Sequence, residues 1–130
     1  MKKEEIKSSA APAAAGPYSQ AVRAGGLVFV SGQLPLDAET GEMADGIENQ
    51  TAKCLENIRG ILSAAGLSLD DLVKCTVFLT RMEDFPLINK VYASYFGNPC
   101  PARSCVEVSA LPRGAAVEIE AIAVVKQHAE

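Results

Sequence analysis

Ile47-Glu48-Asn49-Gln50-Thr51-Ala52-Lys53-Cys54-Leu55-Glu56-Asn57-Ile58-Arg59-Gly60-Ile61-Leu62-Ser63-Ala64-Ala65-Gly66 is the stretch on which the fold turns. Ile47, Thr51, Cys54, Leu55, Ile58, Ile61, Leu62 and Ala65 recur at helical spacing and form one apolar stripe, which predicts an amphipathic helix over 47–65. Asp45 and Glu48 are spaced like a capping box, and Gly66 stands where a left-handed stop belongs. Gly60 weakens the helix slightly and suits close packing against it.

The pattern changes period on both sides of this helix. Downstream, Leu72 to Thr80 alternates as a strand, with Val73, Cys75, Val77 and Leu79 on one face. A second helix is expected over 84–96, with Pro86 tolerated in its first turn and Gly97 ending it. Its buried stripe is Phe85, Ile88, Val91, Tyr92 and Tyr95 or Phe96. Ala102 to Val108 and Ala116 to Val125 complete the strands. Upstream, Gly25-Gly26 between Ser19–Ala24 and Leu27–Leu34 signals a hairpin. The resulting order, ββαβαββ, predicts an α+β domain: a mixed sheet with both helices on one face. One domain is expected over residues 1–130, with 1–13 a flexible Ala/Pro leader.

Composition narrows the functional classes. Aromatics make up only 5% of the chain and Trp is absent, so base stacking has little to work with. The net charge is −4, and the lysines of the N-terminus, Lys2, Lys3 and Lys7, are mixed with Glu4 and Glu5. No basic stripe appears, and nucleic acid is not an expected partner. No apolar run is long enough to span a bilayer, and a cytoplasmic protein is expected. Cys54, Cys75, Cys100 and Cys105 form no C-x-x-C pair, and the lone histidine is His128. Neither a metal site nor a cofactor is expected, and the thiols are read as free.

That shortage of histidine removes the commonest general base and every Ser–His or Cys–His arrangement. Chemistry must rest on other groups. Strand periodicity puts Arg103, Cys105 and Glu107 on one face, and an arginine there matches a carboxylate in a bidentate way. It is equally readable as an edge-strand arginine facing water or paired with an internal glutamate. Glu118 and Glu120 share a face of the last strand, where one could neutralise Arg103 or orient a water, or both could simply be solvated. Beyond Glu120 the strand loses its alternation, as expected if a neighbouring subunit covers its open side. Tyr18 follows a rigid Gly16-Pro17 turn and can bond a ligand or pack. Ser31-Gly32 marks either a bulge or close backbone approach. Asn89 is readable as a surface polar group or a ligand contact.

In order along the chain, Ala11 to Gln20, Ser31-Gly32-Gln33, Ala64 to Leu67, Val77-Phe78-Leu79, Asp84-Phe85 with Asn89, Pro101 to Val108 and Glu118 to Val124 closely resemble the RidA (YjgF) family of reactive-intermediate deaminases. The resemblance implies a chorismate-mutase-like fold and a homotrimer with sites in clefts between subunits. It also implies hydrolysis of 2-imino acids and enamines, such as 2-aminoacrylate, 2-iminobutanoate and 2-iminopropanoate, to 2-keto acids and ammonia. Carried over, Arg103 clamps the substrate carboxylate, Glu118 positions the attacking water and Tyr18 hydrogen-bonds at the pocket. Cys105, Ser31, Gly32 and Asn89 line it. Cys100 stands where family members often carry an aromatic, which bears on substrate range. Two alternatives stand beside this reading: a regulatory trimer that binds small carboxylates without turnover, and an RNA-directed translation inhibitor or ribonuclease.

Overall fold

The computed structural model describes residues 2–125; His128 lies outside them. The elements run β1 (Lys3–Ile6), β2 (Ala21–Ala24), β3 (Leu27–Gln33), α1 (Ile47–Ala64), β4 (Leu72–Leu79), α2 (Phe85–Ala93), β5 (Ala102–Glu107) and β6 (Val117–Val124). Six strands form one mixed sheet in the order β1-β2-β3-β6-β4-β5. Only β4 and β5 pair in parallel, joined by a crossover that carries α2. α1 connects β3 to β4, which flank β6, and packs against β3, β6 and α2.

The helices cover one face of the sheet. Val28, Val30, Cys75, Val77, Leu79, Val117, Ile119, Ala121 and Ala123 point into it and meet Leu55, Ile58, Ile61, Leu62 and Ile88 from the helices. The other face is open. Leu27, Phe29, Val106 and Val124 are exposed there, beside Phe78, Ile122, Glu118 and Glu120. β6 therefore alternates buried and open residues throughout, and its apolar Ile122 and Val124 lie on the uncovered side.

Several local expectations shift for physical reasons. The helix α1 begins one residue later than an Asp45 cap requires: Gly46, at φ 83°, is the N-cap, and no side chain caps it. Its end is a Schellman turn, with Gly66 at φ 74° and the Gly66 and Leu67 amides donating to Ser63 and Leu62. In β4 the register against β6 slips between Leu72 and Lys74, so Leu72 is buried and Val73 faces out. The helix α2 stops at Ala93, short of the expected Phe96.

The largest correction concerns the N-terminus. The expected flexible leader over 1–13 contains β1, which pairs antiparallel with β2, and a buried Ala11. The segment crosses α1 at Gly60, where Ser8 Oγ donates to the Gly60 carbonyl at 3.1 Å. A Cβ on Gly60 would lie 2.8 Å from Ala10 Cβ and 2.9 Å from the Ala10 carbonyl oxygen. Alanine at this position gains about 1 kcal/mol of helix propensity but meets backbone, an overpacking cost of about 1–3 kcal/mol. Gly60→Ala is thus expected to lower stability by about 1 kcal/mol in urea titrations and to speed proteolysis within residues 7–12. An unchanged midpoint and cleavage rate would contradict the packing argument.

Candidate active site

Arg103 sits on β5, an edge strand of the sheet. Its pairing with Cys75 turns it toward the helix-covered face. There Phe85, Asn89 and Tyr92 occupy one side of α2 at i, i+4 and i+7, a spacing that stacks them toward β5. Arg103 Nη1 donates to Asn89 Oδ1 at 2.8 Å. Its guanidinium carbon lies 5.4 Å from the Phe85 ring centroid and 4.8 Å from that of Tyr92. Two aromatic faces and an amide oxygen hold the cation without neutralising it. Glu107, at the end of β5, accepts the Met82 amide at 2.7 Å and so ties the turn before α2 to the strand that bears Arg103. Among the described residues no carboxylate forms an ion pair with Arg103.

Cys105 follows on the same face, half-buried. Burial pushes its thiol above the ordinary range while the Arg103 charge pulls the other way. A thiol so placed is mostly protonated and suits lining better than nucleophilic attack. All four cysteines are free.

A second cluster lies on the opposite face. Tyr18, Ser31, Gly32, Phe78, Arg113, Glu118 and Glu120 line a cleft of about 730 Å³. The break in register between Val30 and Gln33 is the bulge, and it answers both readings of Ser31-Gly32. A Cβ on Gly32 would lie 2.9 Å from the Glu118 carboxyl carbon, so glycine lets that carboxyl rest on the backbone. Ser31 Oγ donates to the Ser19 carbonyl at 2.6 Å, which fixes the bulge to the entry of β2. Desolvation, with the charge of Glu120 adding to it, raises the Glu118 carboxyl above its ordinary 4.5. Tyr18 is 52% exposed; its hydroxyl accepts the Ala15 amide at 3.3 Å.

The seven residues singled out in the sequence therefore form two groups. Arg103 and Cys105 face the helices, where Asn89 of α2 meets Arg103; Tyr18, Ser31, Gly32 and Glu118 lie on the open side. Within one chain Glu118 and Glu120 do not reach Arg103, because their partners on β4, Phe78 and Thr76, point away from Cys75 and Val77. Phe85 and Tyr92 were legible as buried stripe but not as a cradle. Arg113 carried no signal at all, yet it takes a rare non-glycine φ of 62° at the cleft rim. Among the described residues no cluster of three or more His, Cys, Asp or Glu side chains could hold a metal ion. No helix among them is long and apolar enough to cross a membrane.

A family model described as Endoribonuclease L-PSP matches residues 8–125. A RutC family protein of Pyrococcus horikoshii is 54% identical over 93% of this chain and 97% of its own. Reactive Intermediate Deaminase A, chloroplastic, of Arabidopsis thaliana is 48% identical over 95% of this chain and 66% of its own. The chain belongs to the RidA (YjgF) family. Among solved RidA-family relatives, Escherichia coli TdcF with bound serine superposes with a TM-score of 0.91 at 45% identity, over 95% of this chain and 99% of that one. The mixed α+β fold with two helices is thus shared across this RidA family.

The raised Glu118 carboxyl has a consequence for stability. Between 4.5 and its higher folded value, the folded state binds the proton that the unfolded state has lost. Its contribution is complete below pH 4.5 and is lost as pH rises through the folded value. Glu118→Gln, which cannot ionise, is expected to gain in Tm over the parent as pH rises through this window. A Tm difference independent of pH would refute the assignment.

Proposed function

We propose that this protein hydrolyses 2-imino acids to 2-keto acids and ammonia in a site assembled from two copies. The observation that carries the reading is Arg103, a fixed guanidinium with no carboxylate partner among the described residues. Such a cation fits the α-carboxylate of a small organic acid, and the fork geometry orients it. TdcF, with serine bound, is a relative associated with a ligand of that type.

The reaction asks little of the protein. An imine carbon is already electrophilic, so positioning the acid and a water converts chance encounter into an oriented one. Water adds to C2, and its proton passes to Glu118. The same carboxyl returns that proton to nitrogen to give the carbinolamine. It then takes the C2 hydroxyl proton and passes it to nitrogen as the C2=O bond forms and the C–N bond breaks, so that ammonia leaves and the keto acid remains. A carboxyl with a raised pKa suits this shuttle better than one that is always ionised. Tyr18 and Ser31 contribute hydroxyls on the same side, and Gly32 gives the backbone room.

Because Arg103 and Glu118 lie on opposite faces of one sheet, the proposal requires a neighbour. The open face, with Leu27, Phe29, Val106 and Val124 exposed, is the surface a second and third copy would cover, in the homotrimer implied by the resemblance. The ribonuclease reading is disfavoured by charge: the chain carries a net charge of −4, and among the described residues the cleft sets Glu118 and Glu120 against Arg113 alone.

Arg103→Ala is expected to lower kcat/KM for 2-iminobutanoate by about 100-fold or more, the scale of a charge-assisted hydrogen bond. Ammonia release measures it, with mass in solution unchanged; retained activity rejects the clamp. Binding of the acid without any ammonia release would favour the regulatory alternative. Equal co-assembly of Arg103→Ala with Glu118→Gln is expected to restore about a quarter of parental activity, since random mixing leaves that share of interfaces with both intact residues. Inactive mixed trimers would place both residues in one chain's site.

A further inference from the structure

Gln20 is buried at the entry of β2, although its residue type is usually exposed. Its side-chain oxygen accepts the Ser8 amide at 2.7 Å. Its Nε2 donates to the carbonyls of Ser8 at 3.1 Å, Ala11 at 3.3 Å and Pro12 at 2.8 Å. These partners fix which way the amide points, since only nitrogen can face three carbonyls. Its main-chain carbonyl accepts the Ser31 amide at 2.9 Å. One residue thus joins the segment 8–12, through its side chain, to the Ser31-Gly32 bulge, through its backbone.

The loop between these anchors carries Tyr18. Tyr18 has little core packing, so its position depends on where Pro12 and Gln20 hold the two loop ends. A tight turn at Gly16-Pro17, closed by the Tyr18 amide donating to the Gly16 carbonyl at 2.8 Å, and the Ala15-to-hydroxyl bond shape only the interior. Ser8 Oγ on the Gly60 carbonyl anchors the same segment to α1.

We propose that Gln20 is a positioning residue for the Tyr18 side of the site: its amide staples residues 8–12 to β2 and closes the loop that presents Tyr18 to the cleft. The kinetic part of this proposal rests on the imino-acid reading above. No other side chain of this size supplies both polarities. A glutamate would set lone pairs against three carbonyls, and an apolar isostere would leave all four partners unsatisfied.

The test uses the full-length protein with Gln20→Glu and, should that fail to fold, Gln20→Met. Hydrogen exchange at the amides of Ser8 and Ala15 is expected to accelerate at least 10-fold while exchange in α1 and β4 is unchanged. The kcat/KM for 2-iminobutanoate is expected to fall about 10- to 100-fold, as for a misplaced site group. In a Tyr18→Phe background the same Gln20 substitution is expected to cost less than about 3-fold, because the group it positions is already gone. Equal losses in both backgrounds, or unchanged exchange at Ser8 and Ala15, would overturn the proposal. Should the parent protein release no ammonia from any imino acid, the catalytic reading fails, and the exchange data still decide whether Gln20 is the staple.

Discussion

The structure depends on a cation kept without an anion. Arg103 is gripped by Asn89 and by the rings of Phe85 and Tyr92, groups that fix a guanidinium and leave its charge intact. Holding it this way requires the Phe85, Asn89 and Tyr92 side of α2 to face β5. Ile88 and Tyr92 seal α2 against the core, and Glu107 accepts the Met82 amide in the turn that precedes the helix. The parallel crossover from β4 to β5 is the topology that lets one helix cover the strand that follows it.

Much of the frame was legible because it is written in periodicity. The stripe of α1 and the alternation of β4 from Cys75 onward each reflect one face meeting a core; in β6 the alternation is visible only to Glu120, because Ala121 to Val124 are apolar on the buried and the open face alike. What escaped notice depends on pairings between distant segments. β1 is a short, charged Lys-Glu-Glu-Ile strand that owes its existence to β2 as a partner and announces no burial itself. Gln20 and Asn57 are buried amides, satisfied by backbone carbonyls far along the chain, and nothing in their neighbours predicts that. Val73 was misassigned because a bulge resets the period of two by one residue, and a bulge leaves no mark on an apolar sequence.

The candidate site shows the same division. Residue types came from motifs: Arg103, Glu118, Tyr18, Cys105, Ser31, Gly32 and Asn89 all lie in one or other of two clusters. Their separation by the thickness of the sheet was not legible, since strand alternation assigns faces within a strand and not between strands. It takes the register, Cys75 with Arg103 and Phe78 with Glu118, to set the two groups back to back.

That separation has an electrostatic logic. Were Arg103 and Glu118 to share a face within one chain, they would pair, the carboxyl pKa would fall, and the guanidinium would lose its capacity for a ligand. Placed on opposite faces, Glu118 feels Glu120 and desolvation, both of which raise its pKa, while Arg103 feels only aromatic faces and a neutral amide. In the proposed reading, neither group is quenched by the other before a substrate carboxylate enters between two copies. If the site is divided between copies as proposed, activity depends on assembly: the open face that carries Glu118 also exposes Phe29 and Val106, and a contact that covered them would bring the two halves together.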